Sequence, residues 1–179
     1  MALYRTFIQQ LSYDGTSYTK GAVKETLSDF NIGCIEFPFK MLGSAKELVS
    51  RDWPGEDGKD VYVPPAGIPM QDYDIEVDFL YKGTTDTIST DMRAFIAFLF
   101  GKNSGATGAR LCVYDENVGF GRKDIVLTEI DPEMYSAGDY DPDALLNFKA
   151  KFHVYDPWTE VSLTKDKSGK VIDLSFKTA

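Results

Sequence analysis

The chain has 179 residues, a formal net charge of −9 and 43% hydrophobic residues, so it has apolar material for one domain with a sizeable core. The acidic excess argues against adsorption to nucleic acid or to anionic membranes, since both need Lys and Arg to neutralise phosphates. No apolar run approaches the length of a membrane span. We therefore expect one domain over residues 1–179 and no membrane contact.

The two cysteines and the N-terminus bear on the compartment. Cys34 and Cys112 each lie in an apolar alternating run. A disulfide between them stays open, but buried reduced thiols fit a two-cysteine chain better than a disulfide scaffold does. The N-terminus lacks the basic segment, apolar core and cleavage site of a secretory signal. We therefore expect synthesis in a cytoplasm without a signal peptide.

The first forty residues predict short strands and turns. Residues 4–27 are polar and turn-rich, and Asp14-Gly15 is a plausible hairpin turn. Residues 31–40 alternate like a strand, and Pro38 favours a position at a sheet edge or at the strand's own end. The two faces of this strand would carry Ile32, Cys34 and Glu36 on one side and Ile35, Phe37 and Phe39 on the other.

Residues 41–71 form a long stretch with no period of its own, and they contain four prolines. An irregular segment of this length inside a compact domain is usually functional. Its aromatic side chains, Trp53 and Tyr62, indicate that it packs against something. We therefore predict a long irregular arm at about 41–71 that contacts a partner.

The next segment holds the clearest strand and the one strong helix. Residues 73–82 alternate apolar and acidic side chains, as in a half-solvated antiparallel strand. A helix is predicted around residues 88–100, and Phe98 and Phe100 widen its apolar stripe, so we expect it to be covered on more than one side. Its stripe consists of Ile88, Met92, Phe95, Ile96 and Leu99.

Further strands are predicted over residues 110–114, 124–130, 146–155, 159–163 and 171–176. Strands and helices do not alternate as a βαβ unit requires. The pattern therefore predicts a mainly antiparallel β fold with one flanking α-helix.

The stretch Gly119-Phe120-Gly121-Arg122-Lys123 has the composition of either a phosphate cradle or a tight hairpin turn. A dinucleotide fingerprint needs a third Gly or Ala three positions later and a helix behind it. Asp124 occupies that position, and the residues that follow alternate like a strand. The stretch is therefore predicted to be strand, glycine-containing loop and strand, with no cofactor.

Candidate catalytic and metal residues do not form a recognisable pattern. His153 lies on the polar side of a predicted strand, and no G-x-S-x-G motif occurs. One His and two isolated Cys cannot complete a structural zinc site. The acidic pairs Glu56/Asp57 and Asp72/Asp74 are not set apart from the other carboxylates. We therefore predict no catalytic residue, and the chain is not expected to be an enzyme.

An acidic stretch invites comparison with a calcium loop. Asp139, Asp141 and Asp143 have the D-x-D-x-D spacing of an EF-hand. The pattern fails at Ala144, where the turn glycine belongs, and at Ala150, where the bidentate glutamate belongs. A solvated acidic loop is the better interpretation, so no metal ligand is predicted.

Five segments, in a consistent order over residues 31–163, resemble tail proteins encoded by bacteriophages and bacterial prophages, in particular the group related to the distal tail protein and the tail-tube subunits. An Asp-Pro-Trp or Asp-Pro-Tyr close of a strand, here residues 156–158, recurs in distal tail proteins. The five segments are NIGCIEFPFKML, RDWPGEDGKDVYVPPAGIPMQDYDIEVDFLYKG, DMRAFIAFLFG, GARLCVYDENVGFGRKDIVL and FKAKFHVYDPWTEVSL.

The resemblance implies a tail-tube-like fold of two packed antiparallel sheets, a β-sandwich or split barrel. It also implies a structural role in the virion tail, as a ring subunit, commonly hexameric, of the distal tail, the baseplate hub or the tail tube. The partners would be further copies of the chain and other phage tail or baseplate proteins, with DNA only in transit. No segment matches the second, carbohydrate-binding-like domain of fuller distal tail proteins, so tube subunit, distal ring and other rings all stay open.

The predicted assembly contacts are the hairpin tip over residues 117–123 and the arm around Trp53. The individual candidates are Trp53, Tyr62, Val118, Phe120 and Arg122. The alternative is a non-catalytic β-sandwich module that binds a glycan or a protein through exposed aromatics such as Trp53, Tyr62 and Trp158.

Overall fold

The computed structural model describes residues 5–35, 37–41, 43–131 and 144–177. Its strands are β1 Thr6–Tyr13, β2 Tyr18–Glu25, β3 Ile32–Cys34, β4 Ser50–Arg51, β5 Asp60–Val61, β6 Tyr73–Tyr81, β7 Arg110–Asp115, β8 Phe120–Ile130, β9 Leu146–Val154, β10 Glu160–Lys165 and β11 Val171–Lys177. Its helices are α1 Thr26–Phe30 and α2 Ile88–Leu99. Neither of these two helices is long and apolar enough to cross a bilayer. The predicted mainly β fold with a helix near residues 88–100 is confirmed.

Nine of the strands form one antiparallel sheet with a branch at β8. The main path runs β2-β1-β7-β8-β9-β6-β3. Strand β7 pairs along one side of β8. On the other side, β10 pairs with the start of β8 at Gly121 and Arg122, and β9 pairs with the remainder from Ile125 to Ile130. The resemblance implied two separate sheets. In the structure they are joined into one sheet, because β8 pairs with strands of both layers.

Strands β1 and β7 are buried on both faces. On one face, Ile8, Leu111 and Val113 belong to a main core that also includes α2. On the other face, Phe7 and Cys112 belong to a second core, which the β10–β11 hairpin covers with Val161, Val171 and Leu174. This double burial explains why β1 has six consecutive buried residues instead of a polar and an apolar face.

Two consecutive buried glutamines, Gln9 and Gln10, fasten the layers on either side of β1. Gln9 Nε2 donates to Gly21 O (2.7 Å) and Asp173 Oδ1 (3.1 Å), which ties β1 to β2 and β11. Gln10 Nε2 donates to Phe98 O (2.7 Å), one of the terminal carbonyls of α2. Buried amides need such partners, and here each satisfied amide also holds a neighbouring element in place.

Aromatic rings fill the main core around Phe79. Its ring centroid lies 5.4 Å from those of Phe95 and Phe148 and 5.9 Å from that of Phe37, all ordinary aromatic pair distances. Helix α2 contributes its predicted stripe to this core, but Phe100 remains 38% exposed. Phe98 is buried and widens the stripe as predicted, whereas Phe100, the residue after the helix, does not extend it.

The segment over residues 31–40 differs from the predicted strand. Helix α1, which was not predicted, ends at Asn31 in a left-handed conformation (φ 57°), and only Ile32–Cys34 pair as a strand. Asp115 Oδ2 accepts a hydrogen bond from Phe37 N (2.7 Å), and the Asn117 side chain donates to Ile35 O. These tertiary contacts turn the backbone, so the predicted opposite faces meet in one core, which holds Ile32, Cys34, Phe37 and Phe39.

The cysteines occupy the two different cores. Cys34 lies in the main core and Cys112 in the second core, and both are buried thiols. Burial raises the pKa of the Cys112 thiol far above its ordinary value, because the thiolate would lose its hydration. Neither cysteine therefore forms the disulfide that the sequence left open.

The twin glycines lie in a hairpin, as predicted. Gly119 closes the turn between β7 and β8 with φ 80°, and Gly121 is already part of β8. A Cβ atom at Gly121 would lie 1.9 Å from Val113 O, so the strands could not approach as they do. A strand follows Gly121, where a nucleotide fingerprint would need a helix.

We expect Gly121→Ala to lower the free energy of unfolding by about 3 kcal/mol, because the new methyl group overlaps backbone of β7. Gly119→Asn is the control, since Asn tolerates a positive φ and no atom lies near the added Cβ. Urea unfolding followed by circular dichroism measures both variants. A Gly121→Ala variant as stable as the control would contradict the close strand approach.

Candidate assembly surface

The predicted arm is a long hairpin that leaves the domain after β3 and returns at β6. Its base is closed by Gln71 N to Ser44 O (2.8 Å), by an isolated bridge between Ala45 and Met70, and by Lys46 N to Pro69 O (2.8 Å). Farther out, β4 and β5 pair as a separate two-stranded sheet. The tip spans residues 52–59. The arm is therefore a paired ribbon with its own hydrogen bonds, which is more ordered than the irregular stretch that the sequence predicted.

The arm carries a concentration of exposed apolar side chains. Of the thirteen large apolar side chains that are strongly exposed in the described residues, seven lie within residues 41–71, about a sixth of the chain. Scattered exposed apolar residues are ordinary, but a concentration of this kind marks an interaction surface. The seven residues are Met41, Val49, Trp53, Val61, Tyr62, Val63 and Ile68.

Trp53 and Tyr62 border the same open groove on the two-stranded part of the arm. Trp53 is 43% exposed and Tyr62 is 63% exposed. Trp53 Nε1 donates to Asp60 Oδ2 (3.0 Å), and the Arg51 guanidinium lies 4.7 Å from the centre of the Trp53 ring. Both contacts come from the arm itself, so the indole is oriented by its neighbours while its outer surface stays open to a partner.

The side chains of Phe120 and Arg122 are buried in the body of the domain, next to the first residues of the arm. They are 6% and 4% exposed. Arg122 NH2 donates to Lys40 O (3.1 Å) and Met41 O (3.2 Å), and its NH1 donates to Trp158 O (3.3 Å). These two candidates therefore offer no side-chain surface in the isolated chain. Their observed contacts hold the first residues of the arm against β8.

Val118, the remaining candidate, packs partly buried against the main core. The structure therefore brings Trp53 and Tyr62 together on the arm and keeps Val118, Phe120 and Arg122 in the body of the domain. Sequence reasoning could not separate the two groups, because the glycine pattern indicates a turn but not which segment covers it. Trp53 and Tyr62 are therefore the predicted contacts whose side chains are exposed on the arm.

The returning end of the arm is held by His153 on β9. Its Nδ1 lies 2.6 Å from Asp74 Oδ1, and its Nε2 lies 2.7 Å from Asp72 Oδ2, at the residue just before β6. Burial lowers the pKa of His153, but the hydrogen bonds to Asp74 and Asp72 outweigh it and raise the pKa above 6.5. Only the protonated ring donates from both nitrogens, so the geometry fits an imidazolium between two carboxylates.

A second polar network, which sequence reasoning missed, surrounds Asp124. The Tyr18 hydroxyl donates to Asp124, and Arg110 NH1 donates to Asp124 Oδ1 (3.1 Å). Lys123 Nζ lies 3.2 Å from Asp156 Oδ2 and 3.3 Å from the Tyr18 hydroxyl. Burial lowers the pKa of Lys123, but hydrogen bonds to Tyr18 and Asp156 raise it above the ordinary value. The network joins β2, β7 and β8 to the turn before β10, so no single sequence window contains it.

The remaining candidate acids stay separate. Glu56 and Asp57 are exposed at the tip of the arm. Within the described residues, no three His, Cys, Asp or Glu side chains come together in a way that could hold a metal ion. The D-x-D-x-D run of Asp139, Asp141 and Asp143 lies outside the described residues.

No family model matches the sequence, and no curated protein matches it. Among solved structures, the chain is similar to the SPP1 Dit protein (gp 19.1), described as a paradigm of the hub adsorption apparatus in phages that infect Gram-positive bacteria. The sequences are 14% identical and the TM-score is 0.49. The match covers 87% of this chain and 52% of the other, so this chain spans about half the length of that structure.

We expect the His153 resonances to titrate above pH 6.5, because both carboxylates favour the charged ring. Asp72→Asn and Asp74→Asn should each lower that pKa, while Asp86→Asn, on an exposed turn, should leave it unchanged. Proton NMR measures this directly, since the chain contains one histidine. A titration at or below pH 6.5 in the unmodified chain would contradict the bridged geometry.

The same contacts predict how stability depends on pH. The His153 contribution is fully present below about pH 6.5 and is lost as pH rises through the raised pKa. The His153 hydrogen bond lowers the pKa of Asp72, so the Asp72 contribution is present above 3.8 and is lost as pH falls through the lowered value. The difference in thermal midpoint between the unmodified chain and Asp72→Asn should therefore be largest between these limits.

Proposed function

We propose that the chain is a non-enzymatic structural subunit of a phage or prophage-derived tail. It assembles as a ring of the distal tail, the baseplate hub or the tail tube, and the arm over residues 41–71 is the main contact with a neighbour. The observation that carries this proposal is the arm itself, a hydrogen-bonded ribbon with its root in the domain and seven exposed large apolar side chains.

Leaving this apolar surface in water has a free-energy cost. Apolar surface removed from water contributes about 25 cal/mol per Å², so the arm gains stability when a partner covers it. An extended ribbon reaches beyond its own domain, and a ribbon that docks on a different surface of an identical copy makes a head-to-tail contact. Such contacts close into a ring when the rotation between copies allows it.

The anchoring of the arm favours the same role. Arg122 holds its first residues, and His153 holds its return through Asp72. A ribbon fixed at both ends loses little conformational entropy on docking, so more of the contact energy remains as affinity. This small entropy loss is what an arm that forms a stable contact with a neighbour requires.

The sequence resemblance over residues 31–163 supports three further details. We propose that the ring has six subunits, that its neighbours are tail or baseplate proteins, and that DNA passes through it. The net charge of −9 is compatible with a channel for DNA, because cationic walls would retain phosphates. The virion tail is the proposed location.

A second candidate function is recognition of a glycan or a protein by exposed aromatic side chains in the body of the domain. Tyr155 is 55% exposed and Trp158 is 60% exposed, three residues apart at the end of β9. Trp158 therefore distinguishes the two functions: it should matter for ligand recognition and not for assembly through the arm.

We expect Trp53→Ala and Tyr62→Ala together to weaken self-association by at least about tenfold, since buried aromatic anchors dominate interface energies. Trp158→Ala is the control, because it removes an even more exposed indole (60% against 43% for Trp53) outside the arm. Sedimentation velocity at tens of micromolar measures the assembly. A double variant that assembles like the unmodified chain would refute the arm as the contact. A chain that is monomeric throughout would refute ring formation by this protein alone.

A further inference from the structure

The arm ends in an acidic tip. Residues 52–59, together with Asp60 at the start of β5, contain four acidic side chains and one lysine, so residues 52–60 have a net charge of −3. Asp52, Glu56 and Asp57 are exposed and form no ion pair within 4 Å in the part of the chain that the structure describes. The tip therefore combines uncompensated negative charge with the exposed apolar surface of Trp53.

A basic tip of similar size lies on the β10–β11 hairpin. Lys165, Lys167 and Lys170 fall within six residues, with Asp166 as the one acid among them. The Asp166 carboxylate is used inside the turn, where Oδ1 accepts hydrogen bonds from Ser168 N (2.8 Å) and Lys170 N (3.0 Å). The three lysines are exposed and form no ion pair within 4 Å among the described residues. The hairpin therefore presents positive charge in a chain that is acidic overall.

The basic tip also contains an exposed apolar residue. Thr164 pairs with Asp173 and Lys165 pairs with Val171, so Ile172 is the extra residue of a β-bulge. The bulge leaves Ile172 53% exposed beside the lysines. The hairpin tip combines cations with an exposed apolar side chain, and the arm tip combines carboxylates with an exposed aromatic one, so the two surfaces are complementary in charge and in apolar character.

We propose that the acidic arm tip of one copy docks on the basic β10–β11 tip of a second copy. The inference rests on the proposed function, because it takes the arm to be an assembly contact, and it adds the surface that receives the arm. The occupant is a second copy of this chain because both halves of the charge match belong to the same sequence. The two surfaces differ, so the contact is heterologous, as a ring requires.

The two charged tips of one copy form no ion pair with each other in the part of the chain that the structure describes. Strand β10 begins at Glu160, which pairs with Arg122 at the root of the arm. Lys165 lies five residues farther along the strand, on the order of 17 Å away. Both charged tips are therefore available to a neighbouring copy.

The test exchanges the charges. One variant reverses the arm with Glu56→Lys and Asp57→Lys, and the other reverses the hairpin with Lys167→Glu and Lys170→Glu. Each variant alone places like charges opposite each other, so self-association should weaken by at least about tenfold at low ionic strength. An equimolar mixture should recover assembly, because every reversed arm then meets a reversed hairpin. Recovery also demonstrates that both variants are folded.

Asp86→Lys and Lys102→Glu are the controls, since they reverse exposed charges outside both tips. Light scattering and native mass spectrometry measure the oligomers. If the unmodified chain assembles but the reversed variants assemble equally well, or if their mixture does not recover, this inference is wrong while the proposed ring remains. If the unmodified chain stays monomeric, both fail together.

Discussion

The bulge at Lys123 and Asp124 in β8 is the constraint on which the rest of the structure depends. Val113 pairs with Arg122 and Leu111 pairs with Ile125, so one residue of β7 faces two residues of β8, Lys123 and Asp124. Asp124 adopts a left-handed conformation (φ 53°) that accommodates the extra residue. At this point β8 changes its second neighbour from β10 to β9. A bulge bends and twists a strand, and here the bend separates the layer over the second core from the sheet over the main core.

The residues around the bulge all contribute to this junction. Gly121 lets β7 approach, since a side chain would overlap Val113 O. Arg122 donates to the carbonyls at the root of the arm, and Asp124 accepts from Tyr18 and Arg110. A left-handed aspartate is costly by itself, so the hydrogen bonds around it must keep the conformation occupied. One short stretch therefore joins two layers and positions the arm.

The body of the domain and the arm differ in how they treat groups that interact poorly with their surroundings. In the body, the buried amides of Gln9 and Gln10 find hydrogen-bond partners within the chain, on the two sides of β1. The arm does the reverse, because it leaves Trp53 and Tyr62 in solvent while fixing both of its ends. The buried cores that stabilise the fold therefore lie in the body, and the concentration of exposed apolar side chains lies on the arm. That separation is the physical basis for the proposal that the arm contacts a partner.

Sequence and tertiary structure determined different parts of this protein. Strand β6 was predictable because its alternation is local and one face meets water. The prolines and the missing period of residues 41–71 set this segment apart, but they did not indicate that it pairs as a ribbon. The second core was not predictable, because a strand buried on both faces, such as β1, loses its alternation. Nor could local pattern locate Phe120 and Arg122 under the root of the arm, because their burial depends on residues about eighty positions earlier in the chain. Local periodicity reports which residues avoid water along one element, while the element that covers them is decided when distant segments meet.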